Sequence, residues 1–191
     1  MRPVLKTAAV LTAVGAALAL GLPGTATAGA GAHTGAPVPT EERAAAAFVQ
    51  KVTLRLASDP GQAADGKGAS TANGAEVIQW ALSRAANQLW EPEATSDGYY
   101  RFESVNSGLC LNVKGGGNDD GAQIIQWTCG AAANEQWKFV PKGTGYQIVA
   151  RSSGKCLNVQ GGVGQGRNLI QYTCTADGAA NDVWLPVWET L

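Results

Sequence analysis

The stretch Asn-Gly-Ala-Glu-Val-Ile-Gln-Trp at residues 73–80 recurs twice further along the chain, with the same length and with an ending of Ile-Gln followed by an aromatic residue. The second copy is Asp-Gly-Ala-Gln-Ile-Ile-Gln-Trp at 120–127, and the third is Gln-Gly-Arg-Asn-Leu-Ile-Gln-Tyr at 165–172. Three such octapeptides indicate one structural unit present three times, because self-similarity at a fixed period is the signature of a repeat architecture.

A second block of the form Ala-Asn-x-x-Trp follows each octapeptide and ends at Trp90, Trp137 and Trp184. The step from the first tryptophan to the second equals the step from the second to the third, at 47 residues. The spacing predicts repeats at about 50–93, 97–140 and 143–187.

Each repeat is predicted to consist of short strands joined by tight turns. Leu109–Val113 and Lys155–Val159 alternate apolar and polar residues, which is typical of half-buried strands, and glycine-rich loops at 115–121 and 161–166 follow them. No segment after residue 60 has a helical period. Three propeller blades are too few to close a ring, so an all-β barrel with pseudo-threefold symmetry is the better prediction.

The four cysteines allow three disulfide connectivities. Cys110 corresponds to Cys156 in the repeats and Cys129 to Cys174, whereas the first repeat has Ala63 and Leu82 at the two positions. Both cysteines are absent from the first repeat together, as expected if the two positions pair. We therefore predict Cys110–Cys129 and Cys156–Cys174. A zinc site is the alternative, but the wide spacing and the lack of a nearby histidine argue against it.

The N-terminal region is predicted to direct export. Basic residues precede an apolar run at about 8–20, and Ala26-Thr27-Ala28 has the small residues of a cleavage site, which predicts a signal peptide at 1–28. The run is shorter than a membrane span requires, although an N-terminal anchor helix is the alternative. We expect a flexible arm at 29–45, a domain at 46–191 and an extracellular location.

The charge balance argues against a function that requires a strongly basic surface. There are 14 Lys and Arg against 15 Asp and Glu, so no positive field favours nucleic acid. The only histidine is His33, in the predicted arm, and the repeat-related acids single out no catalytic pair, so we predict no enzymatic activity. No metal or cofactor is predicted, since the run around Asp119 lacks the ligand spacing of a calcium loop.

These motifs together resemble the ricin-B-type lectins over residues 50–186. Gln88-Leu89-Trp90 matches the Gln-x-Trp signature of that family, and the later copies depart from it as Glu135-Gln136-Trp137 and Asp182-Val183-Trp184. The resemblance implies a β-trefoil and carbohydrate binding. A pyranose has an apolar face suited to an aromatic ring and hydroxyls suited to a carboxylate.

The resemblance also implies which residues form a sugar site in each repeat, here called lobes 1, 2 and 3. The first lobe has all four expected residue types and is the best candidate, whereas the other two lack the leading carboxylate and carry an acid in place of Gln88. The implied residues are Asp65, Trp80, Asn87 and Gln88 in lobe 1, Asn112, Trp127, Asn134 and Glu135 in lobe 2, and Asn158, Tyr172, Asn181 and Asp182 in lobe 3.

Other roles for these residues remain open. Trp90, Trp137 and Trp184 are expected in the core, whereas Trp80 and its two counterparts suit either a stacking platform or packing. The asparagines could satisfy turn backbone groups.

We expect a monomeric protein that binds galactosides or a plant polysaccharide such as xylan, alone or beside a separate secreted enzyme. The alternatives are a protein-binding trefoil, such as a secreted protease inhibitor, and a scaffold whose sugar sites have been lost.

Overall fold

A computed structural model describes residues 50–190, which form an all-β domain. The predicted signal peptide and arm lie outside the described residues. Short 3-10 turns occur at Lys67–Ala69, Ala86–Gln88, Lys114–Gly116 and Ala133–Glu135. The strands are β1 Lys51–Leu56, β2 Gln62–Gly66, β3 Val77–Ala81, β4 Trp90–Ala94, β5 Tyr100–Ser104, β6 Cys110–Val113, β7 Ile124–Trp127, β8 Trp137–Lys142, β9 Gly145–Ala150, β10 Cys156–Val159, β11 Leu169–Tyr172 and β12 Trp184–Glu189.

Six strands form a closed antiparallel barrel. The ring runs β1–β4–β5–β8–β9–β12 and returns to β1. The other six strands form the hairpins β2/β3, β6/β7 and β10/β11, which meet one another through single bridges such as Glu76↔Ile125 and Gln123↔Ile170. This is a β-trefoil of three repeats, so the predicted fold class is confirmed.

Strand pairing places the repeats in one register. Ala63 pairs with Trp80, Cys110 with Trp127, and Cys156 with Tyr172. The predicted equivalence of the three hairpins is therefore present in the backbone.

The three repeat tryptophans lie in the core, as predicted. Trp90, Trp137 and Trp184 have no exposed surface. The Nε1–H of each donates to a carbonyl of its own repeat's hairpin, at 3.4 Å to Ala64, 2.9 Å to Leu111 and 2.9 Å to Leu157. Each indole thus joins a barrel strand to a hairpin while filling the space between them.

Both predicted disulfides are present, as Cys110–Cys129 and Cys156–Cys174. In the first repeat an extra strand pair, Gln62↔Ala81, occupies the corresponding place. The Leu82 N–H also donates to the Gly61 carbonyl at 2.8 Å. Backbone hydrogen bonds therefore join the two segments that a disulfide joins in the other repeats.

The first repeat has one additional residue between its barrel strand and its hairpin. Arg55 pairs with Ala63, whereas Glu103 pairs with Cys110, so the connecting turn is one residue longer in the first repeat. The extra residue is absorbed before β2 begins. Asp65 consequently stays in register with Asn112 and pairs with Ile78 as Asn112 pairs with Ile125.

An apolar hollow of about 510 Å³ lies at one end of the barrel. Equivalent barrel positions of the three repeats supply most of its wall. The lining residues are Val52, Pro92, Gly98, Tyr100, Phe102, Phe139, Tyr146, Pro186 and Trp188. Trp188 is 58% exposed at its rim. Within residues 50–190, no helix has the length and apolar character needed to cross a membrane.

Replacing Trp137 by Phe is expected to lower the free energy of unfolding by about 2–4 kcal/mol, because it leaves the Leu111 carbonyl without its donor and removes buried volume. Trp90→Phe is expected to cost less, since its indole bond is longer. Chemical denaturation of both variants measures the difference, and equal costs would contradict the assigned role of the indole hydrogen bond.

Candidate functional site

A shallow pocket lies beside the hairpin of each repeat. The pockets have volumes of about 580 Å³ in lobe 1, 610 Å³ in lobe 2 and 460 Å³ in lobe 3. Each is lined by the aromatic residue that ends the octapeptide, namely Trp80, Trp127 or Tyr172. These side chains are 42%, 47% and 47% exposed, so they form open platforms.

The pocket of lobe 1 brings together Asp65, Trp80 and Asn87. Asp65 lies at its base and is 5% exposed. The Asn87 amide donates to Asp65 Oδ1 at 2.9 Å and to the Gly66 carbonyl at 3.1 Å. Asn87 therefore orients the carboxylate and also satisfies a backbone group.

Gln88 lies beneath this pocket. Its Nε2 donates to Asp65 Oδ2 at 2.8 Å and to the Ala81 carbonyl at 2.9 Å. Its Oε1 accepts the N–H groups of Ser83 and Arg84, at 2.7 and 3.1 Å. Gln88 is fully buried, so it anchors the loop after β3 and holds the second oxygen of Asp65.

The pKa of the Asp65 carboxyl is raised. Burial disfavours the charged form and outweighs the hydrogen bonds from Gln88 and Asn87, which favour it. The carboxylate is therefore partly desolvated, which strengthens its attraction for a hydroxyl donor when it is ionised.

Lobes 2 and 3 repeat this geometry with an amide in place of the carboxylate. Asn134 donates to Asn112 Oδ1 at 2.8 Å and to the Val113 carbonyl at 2.9 Å. Asn181 donates to Asn158 Oδ1 at 2.8 Å and to the Val159 carbonyl at 3.0 Å. The position that Asp65 holds in lobe 1 is thus occupied by an amide in these two pockets.

The acids that replace Gln88 are buried and anchor loops. Glu135 accepts the Gly130 N–H at 2.7 Å and lines the pocket of lobe 2. Asp182 accepts the N–H groups of Thr175 and Ala179, at 3.0 and 2.6 Å, beneath the pocket of lobe 3. Both acids therefore accept backbone N–H groups of their loops, as Gln88 Oε1 does in lobe 1.

Each pocket also includes a glycine that our sequence interpretation did not assign to a site. Gly166 lines the pocket of lobe 1, Gly74 that of lobe 2 and Gly121 that of lobe 3. Each glycine comes from a neighbouring repeat. The signal was available, because these residues hold the second position of the three octapeptides.

A family model described as ricin-type beta-trefoil lectin domain-like matches residues 49–127 and 133–189. The chain belongs to this family. No curated protein matches the lectin-like chain, whereas solved structures do.

One similar structure is the designed threefold-symmetric protein ThreeFoil, at 37% identity and a TM-score of 0.68, with 72% of this chain and 97% of that chain covered. Another is an exo-β-1,3-galactanase from Clostridium thermocellum, at 30% identity and a TM-score of 0.67, with 73% and 30% covered. The lectin-like chain thus spans less than a third of the galactanase.

The Rhizoctonia solani agglutinin has 19% identity and a TM-score of 0.65, with 74% of this chain and 96% of the agglutinin covered, and shares the fold. Within residues 50–190, no group of three or more His, Cys, Asp or Glu side chains is placed to hold a metal ion.

The pKa of Asp65 is expected to lie above the ordinary value of an aspartate, and Gln88→Met is expected to raise this pKa further by removing a hydrogen bond to the charged form. Carbon-13 NMR of the labelled carboxyl measures both values. The pKa of Asp65 is higher in the folded state than in the unfolded state. Its contribution to stability is therefore present below the unfolded-state pKa and is lost as pH rises through the folded-state pKa. An Asp65 pKa at or below the ordinary range would contradict the assigned burial.

Proposed function

We propose that the protein is a secreted lectin that recognises galactose-type or xylan-type sugars and has no catalytic activity of its own. Its principal site is lobe 1. The observation that carries this proposal is the arrangement of Asp65 and Asn87 below the exposed ring of Trp80.

The chemistry of lobe 1 suits one pyranose ring. The C–H face of the sugar lies against Trp80, while neighbouring hydroxyls donate to the carboxylate of Asp65. Each carboxylate oxygen can accept two hydrogen bonds and has one protein donor, from Asn87 or Gln88. One acceptor site on each oxygen therefore remains for a ligand hydroxyl.

Lobes 2 and 3 are secondary sites in this proposal. Asn112 and Asn158 accept from the neighbouring asparagine and keep amide donors for a ligand. Weak binding at several lobes of one molecule would raise the avidity for a polysaccharide that presents many copies of the sugar.

The similarity to the exo-β-1,3-galactanase supports a galactose-type ligand. The similar region corresponds to 30% of that enzyme, so its activity is not carried over to this chain. A protein of this kind would act beside a separate secreted enzyme. We propose that it is monomeric.

The two disulfides support the proposed export, because disulfides persist in oxidising compartments. The predicted signal peptide at 1–28 is part of the same proposal. Its removal would leave the proposed arm at 29–45 and the domain at 46–191.

A second candidate function is protein binding, favoured by the apolar hollow at the end of the barrel. Trp188 and Tyr146 are exposed there, away from the three lobes. Exposed aromatic residues are enriched in protein interfaces. Competition separates the two functions, since free sugar displaces a ligand of the lobes and leaves a partner on the hollow in place.

Asp65→Asn is expected to weaken binding to a galactoside or xylan series by about tenfold or more at lobe 1, because hydrogen bonds to a charged acceptor are the stronger ones. Lobes 2 and 3 carry asparagine at this position, so the backbone accommodates it. Its single oxygen keeps the hydrogen bond from Asn87, whereas the bond from Gln88 is lost. A glycan array followed by calorimetry on the oxidised protein measures the loss.

Asn112→Ala, at the equivalent position of lobe 2, is the matched control and is expected to leave lobe 1 unchanged. Binding to no glycan would remove the lectin proposal and favour the protein-binding candidate. If Asp65→Asn leaves the sugar affinity unchanged, the principal site lies in another lobe.

Sugar binding at lobe 1 is expected to weaken as pH falls through the raised pKa of Asp65, because the protonated carboxyl loses acceptor strength. The decline should begin at a higher pH than an ordinary aspartate would give. Calorimetric titrations across acidic pH test this, and the Asp65→Asn variant should lack the dependence. An identical pH profile in both proteins would count against the carboxylate.

A further inference from the structure

The aromatic platform of lobe 1 lies on a boundary between repeats. Gly166 belongs to the third repeat, yet it lines the pocket of the first. A Cβ added to Gly166 would lie 3.5 Å from Cζ3 of Trp80, at the edge of the six-membered ring. The backbone of the third repeat at Gly166 therefore lies next to the edge of the Trp80 ring in the first repeat.

The same arrangement occurs in lobe 2. Gly74 of the first repeat lines the pocket of the second, and an added Cβ would lie 3.8 Å from Cζ3 of Trp127. Two indole platforms are thus bordered by a glycine of a neighbouring repeat.

Paired backbone hydrogen bonds fix each glycine. The Gly166 N–H donates to the Gln79 carbonyl at 2.7 Å, and the Gln79 N–H donates to the Arg167 carbonyl at 2.8 Å. The boundary in lobe 2 is the same, since Gly74 donates to Gln126 and Gln126 donates to Ala75, both at 2.8 Å. Because Gln79 and Gln126 immediately precede the platform residues, the glycine and the ring are held in a fixed relation.

The backbone conformation favours glycine at these positions. The φ angles of Gly166 and Gly74 are +82° and +85°, which side chains rarely adopt. Any side chain there would also cover the ring edge.

In lobe 3 the corresponding glycine is present, but it does not border the ring of the platform residue. Gly121 has a φ of +87°, but nothing lies within 4 Å of its added Cβ. The platform of lobe 3 is Tyr172, whose single ring lacks the Cζ3 edge of an indole.

We propose that the indole platforms of lobes 1 and 2 each accommodate two consecutive sugar residues, and that Gly166 and Gly74 determine this length. One sugar lies over the base of the pocket, and the next crosses the repeat boundary over the glycine. The ligand class is an unbranched chain of neutral sugars. The inference rests on the proposed function and specifies its substrate.

The test uses lobe 1 alone, in an oxidised protein that carries Trp127→Ala and Tyr172→Ala to silence the other platforms. Calorimetry compares galactose with β-1,3-linked galactobiose, and xylose with xylobiose. The disaccharide of the recognised series should bind about tenfold more tightly than its monosaccharide. Gly166→Asn should lower disaccharide affinity by about tenfold more than monosaccharide affinity, and so bring this ratio close to one.

Asparagine is used because it tolerates positive φ better than other side chains. Gly154→Asn is the matched control, since Gly154 has a φ of +69° and open space around its added Cβ, and lines none of the three lobes. It should keep the full disaccharide preference.

A ratio that survives Gly166→Asn would overturn the inference and leave the lectin proposal standing. Equal losses of monosaccharide and disaccharide affinity would also overturn it, because they would reduce Gly166 to a structural role. Binding of no sugar before Gly166 is changed would remove the proposed function itself.

Discussion

The hydrogen bond from each buried tryptophan to a hairpin carbonyl is the interaction on which the domain depends. It connects the barrel strand that begins with Trp90, Trp137 or Trp184 to the hairpin of the same repeat. A buried polar group that loses its partner costs about 1–3 kcal/mol, so each hairpin is held to one position over the barrel. The pockets lie beside these hairpins and share that fixed geometry.

The sequence allowed the fold to be predicted because the same contacts are encoded three times. The fixed spacing of the tryptophans indicates three equivalent core positions. The absence of both cysteines from the first repeat, at Ala63 and Leu82, indicates that these two positions form a disulfide in the other repeats. The burial of Gln88 beneath the pocket could not be predicted in this way, since a family signature gives residue type and not depth. The placement of Gly166 beside the ring edge of Trp80 brings together positions 86 residues apart and depends on how the repeats meet, which periodicity alone does not specify.

The three lobes differ mainly in where they place a carboxyl group. Lobe 1 has its carboxylate on the pocket side, at Asp65, and an amide beneath it, at Gln88. Lobes 2 and 3 reverse this order, with Asn112 and Asn158 above and with Glu135 and Asp182 anchoring the loops. An oxygen acceptor that anchors the loop after the octapeptide is thus common to all three repeats, whereas the chemistry offered to a ligand differs.

The pairing of β1 with β12 constrains the order of events during biosynthesis. These strands are the first and last of the described domain, and they pair from Lys51↔Glu189 to Leu56↔Trp184. The ring cannot close until the ribosome has released the segment around Trp188, so individual repeats emerge without a complete barrel to fold onto. Contacts this distant in sequence also slow folding. The native domain therefore forms only after β12 has been synthesised, and a nascent chain stalled before β12 would expose the apolar barrel interior to chaperones and proteases.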